Sequence, residues 1–144
     1  MSIKAFLNQA FHLDSLIEAN KCELERLRSL AEAVPIPDLS KERIQGGERS
    51  DRVANTVAKI VDLEREIQSD IDRCVQARTD IRRVIDGVEK PKLKLILQER
   101  YLNFKKWSDI QDIVEVADLR YLFRLHNVAL EEAAKSKVYH CNTI

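Results

Sequence analysis

Arg120, Arg124, Asn127 and Glu131 are the residues whose types and spacing could do chemistry together. On a helix at 100° per residue they fall within about 60° of one another. Leu122, Leu125, Ala129 and Ala133 fall on the opposite side. Arginine can donate two hydrogen bonds to guanine, and asparagine can bond adenine bidentately, so one face has the groups needed to read base edges. A solvated face of any amphipathic helix has the same pattern. Upstream, Lys105 and Lys106 precede a short helix beginning at Ser108. The two ammonium groups and that helix N-terminus suit phosphate.

Other chemistry finds little support. No nucleophile stands beside a base, and no carboxylates pair in an apolar setting, so no catalytic residue and no cofactor is expected. Cys22, Cys74 and Cys141 lie far apart, without zinc-like spacing. An odd cysteine count suits a reducing cytosol better than a disulfide framework. His140–Cys141 offers two adjacent ligands, which do not make a metal site, and His12 and His126 have no acidic or cysteine partner at useful spacing. Gly46–Gly47 lacks the glycine spacing and the strand of a phosphate-cradling loop.

The elements that must position the polar face can be read from hydrophobic period. Of 144 residues, 33% are charged and only three are Gly and three Pro, which favours an all-α chain. A first helix over about 2–33 carries a seam at Ile3, Phe6, Ala10, Leu13, Ile17, Asn20, Leu24, Leu27 and Ala31. Asn20 either fixes register or reaches solvent. Pro35, Pro37 and the glycine pair make 34–50 a polar, flexible loop. A second helix, capped by Asp51, runs to about Val88, with a seam at Val53, Val57, Ile60, Glu64, Ile67, Ile71, Cys74, Arg78, Ile81, Ile85 and Val88. Glu64 and Arg78 interrupt it and either snorkel outward or pair with the first helix or a second copy.

Past Gly87, Pro91 opens a helix to Leu102 that buries Leu93, Ile96, Leu97 and Tyr101, with Asn103 as a left-handed C-cap. Ser108 with Gln111 forms a capping box for the next helix, which buries Ile110, Ile113 and Val114. Trp107 reads as a core plug between helices. Glu115–Val116–Ala117 is the turn, and Asp118 caps a last helix to about Ala134. The expected fold is therefore a long antiparallel coiled-coil helical hairpin (1–90), a three-helix head with a helix-turn-helix (91–135), and a short tail (136–144).

Residues 1–91 hold 15 Lys and Arg against 17 Asp and Glu, and residues 92–144 hold 9 against 7, about −2 and +2. That asymmetry has the sign of a DNA-binding C-terminal half, though it supports few phosphate contacts per copy. No stretch approaches a membrane span, and the start lacks the apolar core of a signal peptide.

The segments RLRSLAEAV (26–34), SDRVANTVAKIVDLEREI (50–67), ERYLNFKKWSDI (99–110) and RLHNVALEEA (124–133) resemble the RinA-like and ArpU-like regulators of bacteriophages of Gram-positive hosts. Arg100–Tyr101, Trp107 with Ile110, and Arg124–Leu125–His126 with Ala129–Leu130 carry the likeness most specifically. The resemblance implies two coiled-coil helices and a head like region four of bacterial sigma factors. It implies double-stranded DNA as partner, host RNA polymerase as a second one, and a bacterial cytoplasm as location. The chain departs from the pattern in the turn, where Glu115–Val116–Ala117 replaces a permissive residue and the spacing is one residue longer. Asp118 stands for the usual serine cap, and Gln111 for an alanine. A homodimer joined through the long helices is expected, with Arg120, Arg124 and Asn127 on bases and Lys105 and Lys106 on phosphate. Two other classes fit the same pattern: a small terminase-like DNA-packaging subunit, which would form large rings, and a helical interaction protein that does not bind DNA.

Overall fold

A computed structural model describes residues 1–33, 46–136 and 139–140, with backbone alone at 46–50. The protein is all-α, with no strand among the described residues. The helices are α1 (Ile3–Leu7), α2 (Gln9–Glu32), α3 (Gly46–Asp86), α4 (Pro91–Leu97), α5 (Trp107–Ile113) and α6 (Leu119–Ala134). A π turn, Gln98–Leu102, extends α4. The loop expected at 34–50 falls mostly outside the described residues, but its last part does not. α3 is already helical at Gly46, so Asp51 is not its cap. Two glycines cost about 1 kcal/mol each in a helix, which a cooperative 41-residue helix can absorb at one end.

Packing groups the chain differently from a division at residue 90. One compact unit is Met1–Asp14 with Arg73–Ile144, and the other is Ser15–Asp72. In the second unit the inward residues of α2 are those of the expected seam, with Ile17 buried and Asn20, Leu24, Leu27 and Ala31 half-buried. The Asn20 amide nitrogen does not reach solvent: Nδ2 is buried without a hydrogen-bond partner among the described residues. Glu64 is exposed and pairs with Arg28 at 2.7 Å. Both ends of that pair are wet, so it contributes little.

The inward face of α3 corrects the expected seam. It runs Val53, Thr56, Ile60, Leu63, Ile67, Asp70, Cys74, Ala77, Ile81, Val84 and Val88, while Val57 is exposed. Both phases share every second member. They diverge at 56, 63, 70, 77 and 84 against 57, 64, 71, 78 and 85, where each has three apolar residues. Packing partners broke the tie. Ile85, on the other phase, is nevertheless fully buried, because it lies in the first unit's core.

That core is built on both chain ends. Phe6, Leu7 and Ala10 meet Ile81, Val84 and Ile85 of α3, Leu93, Leu97 and Tyr101 of α4 and the π turn, and Ala129 and Ala133 of α6. A second cluster, Ile96, Ile110, Val114, Val116 and Leu122, holds α5 and α6 against α4. Ile113, expected inside, is 39% exposed. Asn103 is right-handed at φ −100°, and Phe104 takes the left-handed conformation instead, at φ 55°. Its ring lies edge-on to Phe11, with the Arg78 guanidinium 5.6 Å from its centroid, which holds the strained backbone. The capping box does not form, because α5 begins at Trp107 with Lys106 as N-cap and no side-chain capping bond.

The turn between α5 and α6 closes as a Schellman motif. The Val116 N–H donates to Gln111 O at 3.2 Å and the Glu115 N–H to Asp112 O at 3.4 Å. Val116 packs with Ile110, the hydrophobic contact that accompanies the motif. Glu115 therefore occupies the left-handed position, at φ 55°. A Cβ there costs about 1–2 kcal/mol, offset by about 0.5–1 kcal/mol of glycine entropy. Glu115→Gly should accordingly stabilise the protein by about 1 kcal/mol in urea melts, and a loss of stability would contradict this geometry.

Candidate nucleic-acid interface

α6 begins cleanly because Asp118 accepts from the Arg120 N–H at 2.9 Å. Its inner face is Leu122, His126, Ala129 and Ala133, all buried. Arg120, Arg124, Asn127 and Glu131 are exposed on the opposite face. Neither arginine forms an ion pair among the described residues, so both heads are free for a ligand. Tyr121 and Val128 flank the polar face on one side and Leu119 and Phe123 on the other, each between 40% and 48% exposed. Apolar side chains beside guanidinium groups are of the kind that contact thymine methyl groups.

The two lysines differ. Lys106 is exposed and unpaired among the described residues. Lys105 is half-buried and its Nζ lies 2.8 Å from Glu99 Oε2. That ammonium holds the Glu99 carboxyl below its ordinary value, against the opposing effect of burial and with help from Asn103. Lys105 would have to leave this pair to meet a phosphate, so Lys106 is the better placed of the two.

Behind the polar face lies a cluster that periodicity did not reveal. Trp107, half-buried, sits under the Arg100 guanidinium at 4.6 Å and edge-on to His126 at 4.6 Å and Phe123 at 5.3 Å. The Tyr101 hydroxyl meets His126 Nε2 at 2.7 Å. With Nε2 unprotonated, the phenol donates. Desolvation, then the charges of Lys4 and Arg100, push His126 down to about 4. Burial pushes the Tyr101 phenol up to about 12, opposed by Arg100. Arg100 Nη1 also donates to Lys105 O at 2.9 Å, which ties the strained loop to the tryptophan. The available signal was chemical rather than periodic. His126 lies on the apolar side of α6, and an imidazole there needs a partner.

No three His, Cys, Asp or Glu side chains converge as metal ligands among the described residues, and Cys141 lies outside them. No helix among the described residues is long and apolar enough to cross a membrane.

A family model described as "Protein of unknown function (DUF1492)" matches residues 33–134. The chain belongs to the DUF1492 family. The DUF1492 segment contains every candidate contact residue together with α3 to α6, and it leaves out α1 and α2. No curated protein and no solved structure matches the chain.

Proposed function

We propose that the chain is a DNA-binding transcription regulator of the RinA-like and ArpU-like phage type, with α5 and α6 as its helix-turn-helix and α6 as the recognition helix. The observation that carries the reading is the exposed row Arg120, Arg124 and Asn127, without an ion pair among the described residues, on a capped helix whose other face is locked into the core. The Schellman turn supports the reading at Glu115: a left-handed residue stands where the RinA-like and ArpU-like pattern has a permissive one, and the motif closes despite the side chain.

In the same reading α2 and α3 form an antiparallel coiled-coil hairpin, supported by the Arg28–Glu64 pair and by heptad seams on both helices. Leu16, Leu30, Val57 and Val61 are 39% to 56% exposed on these helices, which favours a second copy over a monomer. A dimer raises the affinity of a weakly charged head through effective concentration. Host RNA polymerase is the second partner that the family likeness brings.

The test is binding of Arg120→Ala, Arg124→Ala and Lys106→Ala to DNA flanking the protein's own gene and to random DNA, at several salt concentrations. Loss of a base-reading arginine should cost about 1–3 kcal/mol and relax one position, whereas loss of Lys106 should weaken all sequences and lower the salt slope by about one. If both arginine variants bind as the unaltered protein does, the helix pair is a scaffold and an interaction protein replaces the regulator. Light scattering on the same samples should give a dimer. A ring of eight or more copies would favour the DNA-packaging reading.

A further inference from the structure

We propose that a pocket between α3 and the π turn binds a phosphate group. The pocket has a volume of about 220 Å³ and is lined by Arg78, Thr79, Arg82, Gln98, Leu102 and Asn103. All six residues belong to one compact unit. A water takes up about 30 Å³ of liquid, so a tetrahedral oxyanion fits with part of its hydration shell.

The chemistry of the lining selects an anion. Arg78 and Arg82 stand one helical turn apart on α3, where like charges repel. Neither forms an ion pair with a carboxylate among the described residues. Asp80 projects from the other side of the helix and accepts from Gln76 at 3.0 Å. Glu99, beside the pocket in sequence, is neutralised by Lys105 at 2.8 Å. Among the described residues no carboxylate lines the pocket. The Gln98 amide adds two N–H donors, and Asn103 keeps one after donating to Glu99 Oε1. Thr79 donates to Val75 O and supplies no donor. Two guanidinium forks facing one cavity match the oxygens of a phosphate better than any neutral ligand.

The site is also held in place. Arg78 lies over the Phe104 ring at 5.6 Å, which fixes the guanidinium and leaves its N–H edge open. The π turn, closed by the Asn103 N–H on Gln98 O at 3.1 Å, brings Gln98, Leu102 and Asn103 to one wall. Such widened turns recur at functional sites. The pocket is separate from the polar face of α6 and stands whether or not that face meets DNA. The phosphate can come from a free phosphate compound or from a DNA backbone, and the two sources are separable.

The experiment measures inorganic phosphate binding to the full chain by calorimetry, with Arg82→Gln as the decisive variant, because Arg82 is exposed and its side chain holds no ion pair among the described residues that the fold would lose. Phosphate affinity should fall about tenfold or more, the loss of one charge-assisted pair. Arg78→Gln should show a similar fall, and Arg83→Gln, outside the lining, should bind as the unaltered protein does. Equal affinities in Arg82→Gln and Arg83→Gln would overturn the site. A second arm follows duplex DNA. If Arg82→Gln lowers the salt slope by about one, the backbone supplies the phosphate. If phosphate binding depends on Arg82 while the slope does not change, the ligand is a free phosphate compound. A DNA-binding reading that fails at Arg120 and Arg124 leaves the phosphate result untouched.

Discussion

Lowering the pH from 7 to 5 should remove about 2 kcal/mol of stability through His126 alone, and reaching pH 4 should remove about 3 kcal/mol. The folded protein holds this imidazole at about 4, whereas the unfolded chain releases it to 6.5. Above pH 6.5 both states are neutral there, so the contribution is complete. Below it the unfolded chain takes a proton that the folded one refuses, and stability falls until the folded value near 4 is passed. The refusal has a structural cause. His126 is 5% exposed, faces the edge of Trp107, and lies near two other cations, Lys4 and Arg100. Urea melts at pH 7, 6 and 5 would give the slope, with His126→Gln as the comparison. The absolute stability of the variant does not matter, only its slope. Equal slopes in the two proteins would mean that His126 binds its proton alike in the folded and unfolded chain, which would overturn the prediction.

Replacing Trp107 by Ala should cost about 3 kcal/mol, the lower end of the range for a large aromatic, since the ring is half-buried. The ring touches three side chains at once: Arg100 over its face, and His126 and Phe123 at its edges. It also packs on the cluster of Ile96, Ile110 and Leu122 that joins α5 and α6 to α4. Its removal opens a cavity beside His126 and admits water. The variant should therefore show a second effect, a shallower pH slope, because a hydrated imidazole titrates closer to 6.5. Calorimetric melting with a pH series reads both. A variant that melts as the unaltered protein does but loses DNA binding would make Trp107 a contact residue rather than a support.

The chain's helices follow from local rules, and those rules were legible. Hydrophobic period and breakers placed α4 together with its π turn, α5 and α6 within a residue or two of their observed ends, because Pro91, Asp118 and the apolar spacing act over single turns. The inward residues of α2 followed as well, since only one phase of its period is apolar. The polar row of α6 could be read from spacing, and its exposure followed from the burial of the opposite face.

Features that depend on partners were not legible. The two phases of α3 tie in apolar content, so only the helix packed against it could exclude Val57 and Glu64 and draw in Asp70. Glu115 and Phe104 took left-handed backbone that their side chains disfavour, because closing the α5 turn and seating a phenyl ring outweighed a local cost. The capping box at Ser108 gave way to an earlier start that puts Trp107 inside the helix, where it meets Arg100 and His126. Lys105 looked like a free cation until Glu99 was brought against it. The Tyr101–His126 pair joins residues 25 apart, and Arg78 and Arg82 share a pocket with Gln98 and Asn103. Sequence period records which side of a helix is apolar. Which polar groups meet across helices depends on the packing of side chains distant in the chain, and only the tertiary structure decides that.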